Sequence, residues 1–196
     1  MMLLFPTVIH EFTVPTFKQV ENDLIKLIYE EKKKDPVGVT ISNDGGWQSK
    51  KLQGPNLISD LIINEVISYF IKNKIFKEGV LLKLNGLWAN INKRGDSNVL
   101  HDHPNCDLSG VFWIKIPKDS GRIEFNSPHS YAQYNELESY TSELKDNILS
   151  HHVRWNQPTP GQILIFPSCL LHRVRKSNSN QDRISVSFNI NLGYSE

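Results

Sequence analysis

The second half of the chain consists of short apolar or alternating runs separated by Gly, Pro, Asn and Asp. This pattern begins after Gly79 and is typical of antiparallel strands joined by turns. Strands that follow one another without intervening helices favour a sandwich, a barrel or a jelly roll. We therefore predict a mainly β fold, with strands at Val80–Leu84, Leu87–Asn92, Leu108–Ile116, Gly121–Phe125, Ile163–Phe166, His172–Val174 and Ile184–Asn191.

The N-terminal part of the chain carries helical periodicity instead. Apolar residues recur at three- and four-residue spacing from Phe17 until Lys32-Lys33-Lys34 and Pro36, which predicts one helix over this stretch. A second apolar stripe predicts a helix from about Asn56 to Lys74. The turn-rich segment between the two helices, from Ser42 to Trp47, is predicted to be a loop.

The length of 196 residues suits a single domain. Within it we expect residues 1–79 to form a helical N-terminal layer and residues 80–196 to form the β core. The polar segment from Ser127 to Asn156 has little periodicity, so we predict a long excursion between two strands.

Charge and composition exclude several classes of function. The chain has 22 Lys and Arg against 21 Asp and Glu, so it offers no strong field for nucleic acid or for an anionic membrane. The longest apolar stretch is far too short to span a bilayer, and Met1 to Ile9 lacks the basic start of a secretory signal. We therefore expect a cytoplasmic protein without a membrane span, and the charge gives no evidence for a nucleic-acid partner. The sequence indicates no oligomeric state.

Two histidines separated by one residue, His101 and His103, suggest a metal site. In a strand, residues i and i+2 project to the same face, so both imidazoles would lie side by side and Asp102 would point away. His172, on a later strand, is the natural third ligand, and three nitrogen donors leave coordination positions open. On spacing alone, a surface pair or a structural pair of histidines is more common than a metal site.

Arg183 and Ser185 begin a predicted strand and share one of its faces. The guanidinium can donate two parallel hydrogen bonds to a carboxylate, and the hydroxyl beside it can donate a third. If the strands of His172 and Arg183 are neighbours, that carboxylate would lie near the metal. The alternative is a salt bridge from Arg183 to Asp182 or Glu124.

Together these residues resemble the iron(II)- and 2-oxoglutarate-dependent oxygenases, and within them the oxygenases of bacteria and their phages. The resemblance covers about the last 110 residues. It is carried by His101-Asp102-His103-Pro104, by Leu108–Trp113, by Pro160–Ser168 with His172, and by Arg183–Asn189.

The resemblance implies a double-stranded β-helix, which is a cupin-like form of jelly roll, with an H-x-D/E…H set of iron ligands and an R-x-S anchor for the far carboxylate of 2-oxoglutarate. His101 and His172 match the two histidines, and Arg183 with Ser185 matches the anchor. Asn90, on an earlier strand, is a further candidate for contact with the co-substrate. Trp113 and Phe125 are predicted to belong to the core rather than to the pocket.

One position departs from this pattern, because His103 stands where the family carries Asp or Glu. Two ligand sets remain: His101, His103 and His172, or a set in which Asp102 supplies an oxygen through irregular backbone. Strand geometry favours the three histidines. An imidazole in place of a carboxylate makes the site one charge more positive.

The resemblance implies an Fe(II) dioxygenase that hydroxylates a C–H bond of an unidentified small molecule or protein side chain while 2-oxoglutarate is converted to succinate and CO2. The alternative from another class is a cupin-like β-sandwich that binds a metal or a small acid without oxygenase activity. The polar excursion, with Tyr131, Tyr134, Tyr140, His151 and His152, either covers the pocket mouth or is an ordinary solvated insertion.

Overall fold

The computed structural model describes residues 6–52, 54–128, 140–144, 152–154 and 157–194. Two long helices precede most of the strands: α1 spans Phe17–Lys34 and α2 spans Leu57–Lys72, and a short turn, α3, spans Ser142–Leu144. The strands are β1 His10–Thr13, β2 Asn43–Asp44, β3 Trp47–Gln48, β4 Val80–Asn92, β5 Ser97–His101, β6 Leu108–Lys115, β7 Ile123–Asn126, β8 His152–Arg154, β9 Gln162–Pro167, β10 His172–Val174 and β11 Arg183–Tyr194.

The strands form two antiparallel sheets. One sheet has the order β1-β9-β6-β11-β4-β3, and the other has the order β2-β5-β10-β7-β8. The longest strand pair lies in the six-stranded sheet and joins β11 to β4, with Ser185 opposite Asn90 and Arg183 opposite Asn92. This arrangement confirms the predicted mainly β fold with N-terminal helices.

Side-chain alternation divides the six-stranded sheet into two chemically different faces. One face packs against α1 and α2 in a large apolar core that includes Leu24, Ile62, Ile91, Phe112 and Val186, all of them fully buried or nearly so. The opposite face contributes to a smaller cluster together with the five-stranded sheet: Val111, Trp113, Ile123, Phe125, Leu164, Phe166 and Leu170. The polar side chains of β4 and β11 lie on this second face, so it is the face that carries the site.

Both helices match the predicted spans closely. At the start of α2, the Asn56 side chain caps the helix by accepting hydrogen bonds from the backbone N–H groups of Ile58 and Ser59, each at 3.0 Å. The Ser59 hydroxyl in turn accepts a hydrogen bond from the Asn56 backbone N–H. Three lysines lie in the last turn of α1, where their positive charges interact favourably with the negative end of the helix dipole. Among the described residues, no helix is long and apolar enough to cross a membrane.

Gly161 shows why the turn before β9 needs glycine. Its φ of +90° lies in the left-handed region, and a Cβ built there would approach the Phe17 ring to within 2.7 Å. The missing side chain therefore lets α1 pack directly against this turn.

Several sequence predictions were wrong in detail. The segment predicted as a loop from Ser42 to Trp47 contains β2 and part of β3, and the two strands join different sheets. The strands predicted at Val80–Leu84 and Leu87–Asn92 form one continuous strand, because the ladder with β11 continues past Gly86 through a bulge. The predicted polar excursion contains α3 and β8.

The remaining part of that excursion, with Tyr131, Tyr134 and His151, lies outside the described residues. Of the side chains predicted to cover the pocket mouth, Tyr140 is described and is exposed.

Candidate metal centre and anion pocket

A pocket lies on the inner face of the six-stranded sheet, between it and the five-stranded sheet. It encloses about 510 Å³, part of which is open to solvent. Its polar lining combines His101, His103 and His172 with Asn90, Asn98, Arg183, Ser185 and Ser187, and its apolar wall includes Trp88, Val111, Trp113, Ile123, Phe166 and Val174. A concave site with an apolar wall and a few polar groups is typical of a small-molecule pocket.

Three histidine nitrogens converge in this pocket. One ring nitrogen from each of His101, His103 and His172 lies within 4.8 Å of the other two, and these residues form the only such cluster of metal-binding side chains in the described part of the chain. Nε2 of His103 lies 3.3 Å from Nε2 of His172. Two ligands bonded at right angles to one metal at about 2.1 Å would lie about 3 Å apart, so the spacing suits a shared metal ion.

Strand pairing brings two of the histidines together, but not the third. His101 ends β5 and lies directly opposite His172, the first residue of β10. His103 lies beyond the end of β5, so its position does not come from the strand alternation that predicted it. Instead, the His103 backbone N–H donates to the Ser168 carbonyl at 2.9 Å, which fixes the turn that aims its ring inward.

Backbone carbonyls set the tautomers of two of the rings. Nδ1 of His101 donates to the Val99 carbonyl at 2.7 Å, and Nδ1 of His172 donates to the Leu170 carbonyl at 2.8 Å. Because a carbonyl oxygen only accepts, Nδ1 carries the proton and the Nε2 lone pair is left free in both rings. This second hydrogen bond is the usual way in which proteins orient metal-binding imidazoles.

Burial keeps these imidazoles neutral at physiological pH. Together with the neighbouring His101, it lowers the pKa of His103 to about 4 and that of His172 to about 3. Burial also lowers the pKa of His101 itself. Neutral imidazole is the form that binds a metal, so the environment prepares all three rings for ligation.

Asp102 does not join this cluster. It is exposed, and its carboxylate is not part of the convergent group. The geometry therefore favours the three-histidine set over the alternative set that includes Asp102.

Arg183 is a buried cation that has no counter-charge among the described residues. Its side chain is only 2% exposed, and among the described residues it forms no ion pair. Nη1 donates weakly to Asn92 Oδ1 at 3.4 Å and to Ser185 Oγ at 3.3 Å, and Nε has no partner within the described ranges. Burial lowers the Arg183 pKa to about 10, which still leaves it protonated at neutral pH.

An isolated buried charge is strongly unfavourable, so the pocket is suited to receive an anion at Arg183. The alternative salt bridges were wrong. Asp182 accepts a hydrogen bond from the Tyr29 hydroxyl at 2.6 Å, and Glu124 pairs with Arg122, Arg173 and Arg175. Arg183 and Ser185 are thus left together, in the way that the R-x-S pattern predicts.

Asn90 lies in the pocket lining, opposite Ser185 on the neighbouring strand. Its Nδ2 donates to Ser187 Oγ at 3.2 Å. It is buried and lies on the same face as Arg183 and Ser185.

Sequence reasoning missed three members of the site. Asn92 bonds to Arg183 and could have been found from its i+2 spacing to Asn90 on the same strand. Trp88 stacks on the His103 ring at 5.6 Å between centroids, whereas Trp113, predicted as core, is fully buried and also lines the pocket. Phe125 belongs to the core as predicted, and its ring centroid lies 6.0 Å from that of His172.

Solved structures with the same fold are enzymes of one chemical class. A prolyl-4-hydroxylase from Pseudomonas putida superposes with a TM-score of 0.64 at 11% identity, covering 94% of this chain and 92% of that chain. A viral collagen prolyl hydroxylase from Paramecium bursaria Chlorella virus-1, solved with 2-oxoglutarate, gives 0.57 at 15% identity, covering 93% and 94%. The carbocyclase SnoK from nogalamycin biosynthesis gives 0.66 at 10% identity, covering 96% and 82%.

These similarities confirm the double-stranded β-helix fold. A search of curated proteins finds no match to this chain. The model of the family described as "Putative 2OG-Fe(II) oxygenase" matches residues 86–189, which is just over half of the chain and includes the three histidines and Arg183. The chain therefore belongs to the 2OG-Fe(II) oxygenases, oxidoreductases that use Fe(II) and 2-oxoglutarate.

Proposed function

We propose that the chain is an Fe(II)-dependent dioxygenase that hydroxylates a C–H bond of a small molecule or a protein side chain and releases succinate and CO2. The observation that carries the proposal is the buried, unpaired guanidinium of Arg183 in the same pocket as three convergent imidazoles. A dicarboxylate with a metal-chelating end would satisfy both features at once.

In this proposal His101, His103 and His172 hold the metal through their free nitrogens. When bound, Fe(II) supplies the redox centre at which O2 is reduced while 2-oxoglutarate and the substrate are oxidised. Three protein ligands leave positions open for a chelating co-substrate and for O2. Trp88 supports the His103 ring by stacking, and the Leu170 and Val99 carbonyls keep the other two rings aimed inward.

The remaining side chains hold the co-substrate and exclude water. Arg183 and Ser185 bind its far carboxylate through charge-assisted hydrogen bonds, and Asn90 lies beside them. Phe166, whose ring centroid lies 4.8 Å from that of His172, forms part of the apolar wall that shields the metal side of the pocket.

Anaerobic titration of 2-oxoglutarate with and without Fe(II) tests this proposal. We expect tight binding to the wild type only with Fe(II), and at least a hundredfold loss of affinity in Arg183→Met, because the carboxylate loses its charged partner. Methionine suits this position because replacing a buried, unpaired charge by an apolar side chain of similar length need not destabilise the fold. The matched control is Arg94→Met, since Arg94 is exposed and bonds only weakly to Asn180 at 3.4 Å.

Turnover gives the second readout. With Fe(II) and O2, the wild type should release succinate from 2-oxoglutarate, and His172→Ala should release none. Metal-independent 2-oxoglutarate binding, or binding that Arg183→Met leaves unchanged, would contradict the proposal. Stoichiometric zinc with no succinate release would favour the metal-binding β-sandwich instead.

The substrate is proposed only as a class. Related folds include prolyl hydroxylases and a carbocyclase from nogalamycin biosynthesis, which is why both side-chain and small-molecule substrates are retained. Stimulation of succinate release by proline-containing peptides or by small molecules distinguishes them.

A further inference from the structure

The pocket contains a second hydrogen-bond donor that the described residues leave without an acceptor. Trp113 is 0% exposed and lines the same pocket as Arg183. Its indole Nε1–H has no hydrogen-bond partner among the described residues. A buried donor without an acceptor is unfavourable, so its presence here calls for an external acceptor.

Strand register places this donor next to the anion-binding side chains. Trp113 on β6 lies directly opposite Ser185 on β11, and Ser185 lies directly opposite Asn90 on β4. Directly opposite residues of an antiparallel pair project to the same face, so the three side chains form one row across the inner face of the sheet. Arg183 stands two residues from Ser185 and shares that face.

The two unsatisfied groups, Arg183 Nε and Trp113 Nε1, are chemically alike. Each can donate and neither can accept, and neither can turn its proton away as a hydroxyl can. Two fixed donors in one pocket need an acceptor with at least two lone pairs. A carboxylate offers about four such positions on two oxygens.

We propose that Trp113 donates its indole N–H to the far carboxylate of the co-substrate, as a third anchor beside Arg183 and Ser185. This inference rests on the proposed function, because it takes 2-oxoglutarate as the ligand of Arg183. It makes Trp113 a residue that selects a dicarboxylate over a 2-oxo acid without a distal acid group.

The substitution Trp113→Phe keeps an aromatic ring and removes only the N–H with part of the indole. We expect its affinity for 2-oxoglutarate, with Mn(II) in place of iron, to fall about tenfold to a hundredfold. Its affinity for 2-oxopentanoate, which has the same chelating end but no distal carboxylate, should stay that of the wild type. Without ligand, the substitution breaks no hydrogen bond of Nε1 in the described structure. No loss of melting temperature is therefore expected from that cause.

Trp47→Phe is the matched control. Trp47 packs in the core on the helix side, and its Nε1 donates to the Asp35 carbonyl at 2.9 Å. The same substitution there should lower the melting temperature without ligand through the lost hydrogen bond as well as the lost packing, and it should leave 2-oxoglutarate affinity unchanged. Only Trp113→Phe should weaken 2-oxoglutarate binding.

Indole N–H resonances provide a second readout. The chain has four tryptophans, so 15N-labelled tryptophan gives four indole signals, and Trp113→Phe identifies the one that belongs to Trp113. In the wild type with Zn(II), 2-oxoglutarate should shift that signal strongly and protect it from exchange with water, whereas 2-oxopentanoate should not. The Trp47 signal, bonded within the protein, serves as the internal reference.

The outcomes separate the two proposals. Wild-type affinity of Trp113→Phe for 2-oxoglutarate, together with binding that Arg183→Met abolishes, would overturn this inference and leave the proposed function standing. Four indole signals that are insensitive to bound 2-oxoglutarate would do the same. A wild type that binds no 2-oxoglutarate with metal present would overturn both.

Discussion

His103 sets the charge of the metal centre. The resemblance leads one to expect Asp or Glu at this position, whereas here a neutral imidazole points into the cluster, and burial lowers its pKa to about 4. With three neutral ligands, the full double charge of a divalent ion faces the pocket that also holds the Arg183 guanidinium. The site is therefore more attractive to a dianion than one that includes a carboxylate ligand.

His103→Glu tests this point, since glutamate extends further toward the imidazole position than aspartate does. We expect the variant to keep divalent metal binding and to bind 2-oxoglutarate about threefold to tenfold more weakly, because the added negative charge lies close to the co-substrate anion. Anaerobic calorimetry with Mn(II) measures both constants. Equal or tighter 2-oxoglutarate binding in the variant would show that ligand charge does not control affinity here.

The same low pKa values predict how the metal-free protein responds to acid. Unfolded histidine takes up a proton near pH 6.5, whereas His103 and His172 in the folded chain do so only near 4 and 3. Between pH 6.5 and about 4 the unfolded state binds more protons, so the free energy of unfolding should fall as the pH falls through this window.

Denaturant unfolding at pH 7, 6 and 5 with a chelator measures that slope. The double variant His103→Gln/His172→Gln should show a shallower slope, because glutamine does not titrate. A slope identical to that of the wild type would mean that other groups carry the acid sensitivity.

Glu124 on β7 forms ion pairs with a cluster of three arginines. Its side chain is 2% exposed and lies 3.0 Å from Arg173, 3.3 Å from Arg175 and 3.7 Å from Arg122. Arg173 and Glu124 lie opposite each other in the β7–β10 ladder, whose β10 strand begins with the metal-cluster residue His172. One carboxylate thus holds three cations beside a strand of the site.

We expect Glu124→Gln to lower the free energy of unfolding by about 1.5–3 kcal/mol, since it removes charged hydrogen bonds and leaves three arginines facing one another. Denaturant unfolding at pH 7 measures the change. Glu21→Gln is the control, because Glu21 forms an i,i+3 pair with the highly exposed Lys18 and should contribute less than about 1 kcal/mol. Equal effects of the two substitutions would mean that the cluster adds no stability beyond a surface pair.

The elements that sequence predicts well are those whose pattern is local. Helix α1 carries regular apolar spacing and has the predicted bounds, whereas β4 was predicted as two strands and β11 was predicted without its last three residues. The strands β1, β2, β3 and β5 have two to five residues each, and pairing partners far along the chain define them. No local pattern can specify such pairing, so these strands were missed.

The site shows the same division. The spacing of His101, His103 and His172 and the Arg183–Ser185 pair could be read from the sequence, and the structure brings both groups into one pocket. Strand alternation was nevertheless the wrong reason for the position of His103, because a backbone hydrogen bond to Ser168 in a distant turn directs its ring inward. The unpaired Trp113 N–H depends on what surrounds it in three dimensions, and sequence offers no signal for it.

At the scale of the whole molecule, the two sheets supply different parts of the site. His101 and His172 come from the five-stranded sheet, whereas Arg183 and Ser185 come from the six-stranded sheet. A ligand held by the metal and by Arg183 together would therefore tie the two sheets to each other. Binding energy released in this way stabilises the folded state by linkage.

This predicts an additive thermal response to metal and co-substrate. At about a hundred times its dissociation constant, each ligand should stabilise the fold by about 2.7 kcal/mol, which corresponds to about 5–11 °C in melting temperature for a chain of this size. Mn(II) without O2 prevents turnover during the scan. In Arg183→Met the metal-induced rise should remain, and at the same 2-oxoglutarate concentration the further rise should nearly disappear, because a hundredfold weaker affinity leaves that concentration at about the dissociation constant. A full second rise in that variant would show that chelation at the three histidines is sufficient, and that the carboxylate does not bridge the sheets.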